Sequence, residues 1–415
     1  MTPRFAFLNE PNLQTILDGL NQTHETRVVG GAVRNALLDL PIADIDLATT
    51  ATPEEVTAVA AARGWRALPT GIAHGTVTLM LDTRQFEVTT LREDVTTDGR
   101  HAEVLFGTDF EADAQRRDFT INALSVSLDG TLHDYTGGEA DIAARHVRFI
   151  GDASQRIQED YLRILRFFRF SSAYGAGALD EPALKAVIKN RLGLSQLSKE
   201  RISAELFKTL LTRRAGHVFK VMSDTGILQL LLSGIGNPAR LARLIAIEER
   251  QSQQSALARL AALTVFSAAD IPRLRDALRL SNADTESLHS AAEAAVTLQG
   301  LELPPQMGRL RELMFDHGKS ATLLAVQVAH AQSAAPADSP QWLSAARFVS
   351  DTPQPTLPFT GADLLARGYG PGKQLGAALK RLQALWIRAG FPKDPQALTV
   401  LLDEALKTDP IPLRK

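Results

Sequence analysis

The chain has 415 residues, of which 45% are hydrophobic and 22% charged, with no cysteine and a formal net charge of −2. This is ordinary globular composition, enough for roughly two to four packed units; the missing cysteines exclude disulfides, thiolate metal centres and a cysteine nucleophile. The small net charge conceals a change of sign along the chain: residues 1–144 sum to −12, 145–220 to +8 and 221–415 to +2, so a block suited to divalent cations precedes one suited to phosphates, unless both are simply solvated faces.

The first residues, Met1-Thr-Pro-Arg-Phe-Ala-Phe, lack the apolar core of a signal peptide, and no stretch approaches the ~20 apolar residues of a membrane span. A soluble, cytoplasmic protein is expected. From Arg27 to about Leu132, β-like runs (Arg27-Val-Val, Thr76 to Leu81, Gln85 to Leu91) alternate with helical ones (Ala32 to Leu38, Pro53 to Arg63). This predicts a small α/β domain over residues 1–144. Beyond Asp141 the apolar residues recur at helical spacing, through Tyr161–Phe170, Leu184–Ile188 and Ile202–Leu211 and on to the end. A helical segment 145–220 and a further helical region 221–415 are expected, with joints at the proline-rich stretches Ala334–Pro340 and Asp351–Pro358.

Three clusters carry chemistry. In the first, Val29-Gly30-Gly31-Ala32-Val33-Arg34-Asn35, a double glycine between strand and helix lets backbone N–H groups approach a phosphate, and Arg34 is placed to clamp it. Alone this would be a tight turn. What gives it weight is Asp44-Ile45-Asp46-Leu47 close behind: residues two apart in a strand share a face, so the two carboxylates point together and repel unless a cation bridges them. Mg²⁺ favours carboxylates together with phosphate oxygens and water. Glu87, set between Phe86 and Val88, either supports that metal site or makes a strand-edge salt bridge.

The second cluster, Arg116-Arg117-Asp118-Phe119-Thr120-Ile121-Asn122, offers two forked phosphate donors with Asp118 or Asn122 to orient them or reach a ribose hydroxyl. The third runs Glu159-Asp160-Tyr161-Leu162-Arg163-Ile164-Leu165-Arg166-Phe167-Phe168-Arg169. On one helix, Asp160 and Arg163 would be neighbours, with Arg166 and Arg169 continuing the row.

In order and spacing the three clusters resemble the class II tRNA nucleotidyltransferases, the bacterial and eukaryotic type, whose near relatives are bacterial poly(A) polymerases. The match runs from about Val28 to Phe170, with support from Gly71-Ile-Ala-His-Gly-Thr-Val, Gly137-Gly-Glu-Ala-Asp and Phe149-Ile-Gly-Asp, and a fainter echo at Thr360-Gly-Ala-Asp and Gly370-Pro-Gly-Lys. The resemblance implies an α+β, polymerase-β-like nucleotidyltransferase head followed by an all-α neck, body and tail. It implies that Gly31, Arg34 and Arg117 contact the incoming nucleotide, that Asp44 and Asp46 hold Mg²⁺, and that Asp160, Arg163, Arg166 and Arg169 bind its base and phosphates. Where the family has Asp after the arginine of the glycine motif, this chain has Asn35, which carries no charge.

The expected activity is therefore template-independent addition of CCA to tRNA 3′ ends from CTP and ATP, with pyrophosphate released. Cytosine and adenine share an exocyclic amine beside a ring-nitrogen acceptor, which Asp160 and Arg163 would match; uracil and guanine present the reverse. The alternatives are a poly(A) polymerase, a CC-only or A-only enzyme, and, more distantly, an inactive RNA-binding protein. The stretch from Arg92 to Phe110 is the candidate for switching between nucleotides. No protein partner is predicted, and His133-Asp134 and Asp316-His317 lack the further histidines of a phosphohydrolase centre.

Overall fold

The computed structural model describes residues 3–71, 75–94, 104–251, 253–367 and 371–407. Ile72 to His74 of one supporting motif, residues 95–103 of the expected switching stretch, and Gly370 lie outside the described residues. The chain forms two compact units, Met1–Val218 and Phe219–Lys415.

The first unit opens with α1 (Pro11–Leu20) and is built on a seven-stranded sheet: β1 (Thr26–Val29), β2 (Asp46–Thr49), β3 (Arg66–Gly71), β4 (Thr76–Leu81), β5 (Arg84–Thr90), β8 (Ser125–Val126) and β9 (Leu132–His133). Their order is β3-β4-β5-β2-β1-β8-β9, with β6 (Arg92–Asp94) and β7 (Val104–Phe106) forming a separate ribbon. β1, buried at all four positions, lies centrally because Val28 and Val29 have cover on both faces. It runs antiparallel to β2 and β8, and β2 runs parallel to β5.

Helices fill the connections. α2 (Gly31–Leu37) follows β1 at once, through Gly30 at φ +67°, a conformation an L side chain rarely adopts. α3 (Pro53–Ala62) begins with a capping box in which Thr52 and Glu55 bond each other's backbone N–H, worth about 1 kcal/mol. After α4 (Phe110–Gln115), Thr120–Asn122 makes a 3₁₀ turn against α5 (Gly138–Ala143), where an added Cβ on Gly138 would lie 2.3 Å from the Thr120 carbonyl oxygen.

The helical part of the unit contains α6 (Ala153–Glu159), α7 (Leu162–Ala173), α8 (Glu181–Asn190) and α9 (Lys199–Leu210), with α10 (Ala215–Asp224) leading out of it. Phe119 fastens the sheet region to α7: its ring centroid lies 4.8 Å from Phe149 and 5.3 Å from Phe170. Burial of a phenylalanine of this kind contributes about 2–3 kcal/mol, so the arginine cluster that precedes Phe119 is anchored to α7.

The second unit is helical throughout its described residues: α11 (Ile227–Leu232), α12 (Pro238–Gln251), α13 (Ala256–Thr264), α14 (Ile271–Leu278), α15 (Asn282–Val296), α16 (Met307–His317), α17 (Lys319–Gln332), α18 (Pro340–Asp351), α19 (Gly361–Ala366), α20 (Lys373–Arg388) and α21 (Pro395–Lys407). The two proline-rich joints fall where expected, before and after α18. Leu298, Leu310, Met314 and Trp342 form one core; Leu364, Leu382 and Trp386 form another. Among the described residues no helix is long and apolar enough to cross a membrane.

Candidate active site

The first and second clusters meet at the end of β1. Strand β2 starts at Asp46, with Asp44 in irregular chain just ahead, so the expected strand is shorter at its start; Ile45 is nonetheless buried while Asp44 and Asp46 are exposed. Asp46 is the register partner of Val29 on one side and of Glu87 on the other. Partial desolvation at the cleft wall pushes the exposed Asp46 carboxyl above the usual aspartate range, and the charges of Glu87 and then Asp44 push it further, against a pull downward from Arg117. Among the described residues no arginine, lysine or histidine makes an ion pair with Asp44, Asp46 or Glu87. Repelling carboxylates without a cation partner fit a bound divalent ion. Among the described residues no three carboxylate or imidazole groups gather closely enough to hold a metal, so a divalent ion here would take its remaining ligands from substrate phosphates and water.

Arg34, on α2, is buried and gripped only by neutral groups. It donates to Asn122 Oδ1, to Asn35 Oδ1 from Nε at 3.2 Å and Nη2 at 3.0 Å, and to the Tyr174 hydroxyl at 2.8 Å. Its guanidinium also stacks 4.0 Å over the Tyr174 ring. Burial holds its pKa below the usual arginine value, as does nearby Arg169, while Tyr174 opposes both; it remains a cation lacking a carboxylate partner among the described residues. Asn35 thus has a role that needs no charge. Its Oδ1 accepts from Arg34, and its Nδ2 donates to the Pro41 carbonyl at 2.9 Å, a bond an ionised aspartate could not make.

Arg117 is set by Asp113, which accepts from its Nε at 3.2 Å and Nη2 at 3.1 Å; Arg117 Nη1 donates to the Asn122 carbonyl at 3.3 Å. The other oxygen of Asp113 takes Arg116. Asp118, expected to orient these two arginines, bonds neither of them: its Oδ1 accepts from Phe119 N and Asn122 Nδ2, and its Oδ2 from Arg166 Nε at 2.6 Å.

The third cluster differs from the expected continuous helix. α6 ends at Glu159, with Asp160 as its C-cap in extended backbone, and α7 begins at Leu162 after the N-cap Tyr161; the Asp160 side chain spans the break, Oδ1 accepting from Leu162 N at 3.0 Å. An acidic side chain is favoured at that end by the helix dipole. Its Oδ2 takes Arg201 of α9 at 2.8 Å. Arg163 pairs with Glu159 and donates to the Arg156 carbonyl at 2.8 Å. Arg169 pairs with Glu205 at 2.6 Å and stacks on Phe170.

One cleft of about 490 Å³ gathers most of these groups: Gly30, Gly31, Arg34 and Asp46 from the sheet end, Arg116, Arg117, Asp118 and Asn122 from the second cluster, and Asp160, Arg163 and Arg166 with Phe170 from the third. Arg169 and Asp44 are not part of its wall. Asp113, Tyr174 and Arg201 have no part in the sequence reading. For Asp113 a signal existed, since it stands three and four residues before Arg116 and Arg117, the spacing of helix neighbours; Tyr174 and Arg201 are distant contacts that no local spacing reveals.

The chain matches the family described as the poly A polymerase head domain over residues 26–148, and the probable RNA and SrmB-binding site of polymerase A over residues 178–237. It is 36% identical to the zebrafish (Danio rerio) CCA tRNA nucleotidyltransferase 1, mitochondrial, over 92% of this chain and 88% of that protein. It is 29% identical to the CCA-adding enzyme of Latilactobacillus sakei, over 90% and 92% of the two chains. In fold it is similar to the crystal structure of the Bacillus stearothermophilus CCA-adding enzyme in complex with CTP, with a TM-score of 0.75 at 27% identity, covering 98% of this chain and 99% of the other.

Proposed function

We infer that this chain, which belongs to the family of CCA-adding tRNA nucleotidyltransferases, is an enzyme that adds CCA to tRNA 3′ ends from CTP and ATP without a template. The observation that carries the reading is the single cleft in which a glycine turn, an unpaired acidic residue, two fixed arginines, Asp160 and Arg163 converge.

Within it we assign residues 1–144 to the catalytic head, 145–220 to the neck and 221–415 to body and tail. Asp44 and Asp46 hold Mg²⁺, and Glu87 acts on them through its charge. Bound there, the ion neutralises phosphate charge and lowers the pKa of the attacking 3′-hydroxyl. Gly30 and Gly31 let the triphosphate approach the backbone, and Arg34 and Arg117 neutralise and orient it so that the α-phosphorus faces the hydroxyl and pyrophosphate can leave. Arg166 supplies further positive charge, and Arg169 adds to the field around Arg34.

Asp160 reads the exocyclic amine of cytosine or adenine and Arg163 donates to the ring nitrogen. Both carboxylate oxygens of Asp160 already accept one bond, to Leu162 N and to Arg201, and each retains a lone pair for a base. This fixes the carboxylate before a nucleotide arrives, which is what discrimination without a template requires.

The cationic neck takes the acceptor arm through its phosphates, so affinity for tRNA falls with salt. The cytoplasm remains our expectation for its compartment, on the sequence reading alone; the zebrafish relative is named as mitochondrial. The test is incorporation on a tRNA transcript lacking CCA, with Mg²⁺ and CTP, ATP or both, sized to one nucleotide. Addition stopping after CCA only with both nucleotides supports the reading; long adenosine tails from ATP alone would replace it with a poly(A) polymerase.

A further inference from the structure

Asp113 is a buried carboxylate with no place in the chemistry assigned so far. Its side chain is 5% exposed, on α4, and among the described residues it is the one acidic partner of both Arg116 and Arg117. Each oxygen serves one arginine. Oδ2 receives Nε and Nη2 of Arg117, and Oδ1 receives Arg116. The third nitrogen of Arg117, Nη1, is left to the Asn122 carbonyl and lies 3.3 Å from where a Cβ on Gly30 would stand. One negative charge thus fixes two positive ones at the wall of the cleft and leaves a net positive charge facing it.

The geometry has a second consequence. Arg117 and Asp46 line the same cleft. An arginine has several rotatable bonds and seeks a forked carboxylate partner. Released from Asp113, Arg117 is free to turn toward Asp46 across the cleft, and an ion pair there would occupy oxygens that a divalent cation needs.

We propose that Asp113 is the positioning residue of the site: it aims Arg117 at the triphosphate and keeps that arginine off Asp44 and Asp46. The proposal rests on the assignment of this cleft as the nucleotide site. It assigns Asp113 no contact with substrate. Its removal therefore acts on nucleotide and cation affinity, while affinity for tRNA stays as it was.

The experiment compares wild type, Asp113→Asn and Asp113→Glu in steady-state addition to a tRNA transcript. In parallel, Mn²⁺ binding is followed by electron paramagnetic resonance without RNA or nucleotide. Loss of a charged hydrogen-bond partner predicts a KM for CTP and for ATP raised by about tenfold or more in Asp113→Asn, weaker Mn²⁺ binding, and an unchanged Kd for tRNA. Asp113→Glu, with its charge kept but displaced by one methylene, falls between the two. Wild-type KM and Mn²⁺ affinity with only kcat reduced would overturn the inference. Should Asp113→Asn not fold, Asp113→Glu decides alone: a raised KM supports the inference and an unchanged one overturns it. If wild type itself adds no nucleotide, the assignment of the cleft has failed; if wild type is active and the variants match it in KM, only the role of Asp113 has.

Discussion

Asp46 and Glu87 are register partners on the adjacent parallel strands β2 and β5, so their carboxylates lie on the same face. The Asp46 carboxyl is raised above its ordinary value by partial desolvation, then by the charges of Glu87 and Asp44. Like charges held this way cost stability in the metal-free protein.

That cost has a sign that can be measured. A carboxyl whose folded pKa is raised favours the folded state below its unfolded value, near 3.8, and loses that favour as pH rises through the folded value. In excess chelator, Asp46→Asn is therefore expected to melt a few degrees above wild type at neutral pH. The gap should close as pH falls below that unfolded value, where Asp46 is protonated in both states. Thermal unfolding over that range checks it; a variant less stable than wild type at neutral pH would contradict the repulsion.

Tyr174 holds Arg34 by its ring and by its hydroxyl. Tyr174→Phe keeps the stacking and loses one neutral acceptor, about 1 kcal/mol, and should raise KM for both nucleotides by about five- to tenfold. Tyr174→Ala loses the cation–π contact as well and should raise KM further. Equal KM values in both variants and wild type would separate Tyr174 from nucleotide binding.

Asp160→Ala is expected to lose selectivity along with rate. A mismatched buried polar group costs about 1–3 kcal/mol, so discrimination against UTP and GTP should drop by about 5- to 150-fold. Competition between CTP and UTP on the same transcript measures it. Unchanged selectivity would leave Asp160 as a residue of the break between α6 and α7 and nothing more.

In the second unit, Glu248 and Arg259 form a pair 2.5 Å apart at 1% and 2% exposure. Burial raises the Glu248 pKa, and its bond to Arg259 opposes that rise. Glu248→Ala leaves a buried guanidinium without its carboxylate and should destabilise the unit by about 3–5 kcal/mol. Denaturant unfolding tests this independently of catalysis.

Much of the site was legible in the sequence because its residues come in short runs whose local geometry is fixed by spacing. The alternation of Asp44, Ile45 and Asp46 predicted two exposed carboxylates over a buried isoleucine, and the double glycine predicted the turn into α2. The helix assigned through Asp160 was wrong by a local break: an aspartate that caps one helix reads, by apolar periodicity alone, like a member of it. Contacts spanning long stretches of chain were not legible. Tyr174 reaches Arg34 across 140 positions and Arg201 reaches Asp160 across 41, and no spacing rule carries that information. The net negative charge of residues 1–144 was misleading in one respect, since two of its carboxylates, Asp113 and Asp118, are committed to arginines.

The most direct test of the account compares wild type with Asp44→Ala and Asp46→Ala on a tRNA transcript lacking CCA, with Mg²⁺, CTP and ATP, while tRNA affinity is measured on the same preparations. The account predicts that wild type completes CCA and that both variants bind tRNA as wild type does yet incorporate neither nucleotide. Retained turnover in either variant would contradict the assignment of the acidic pair as the metal site.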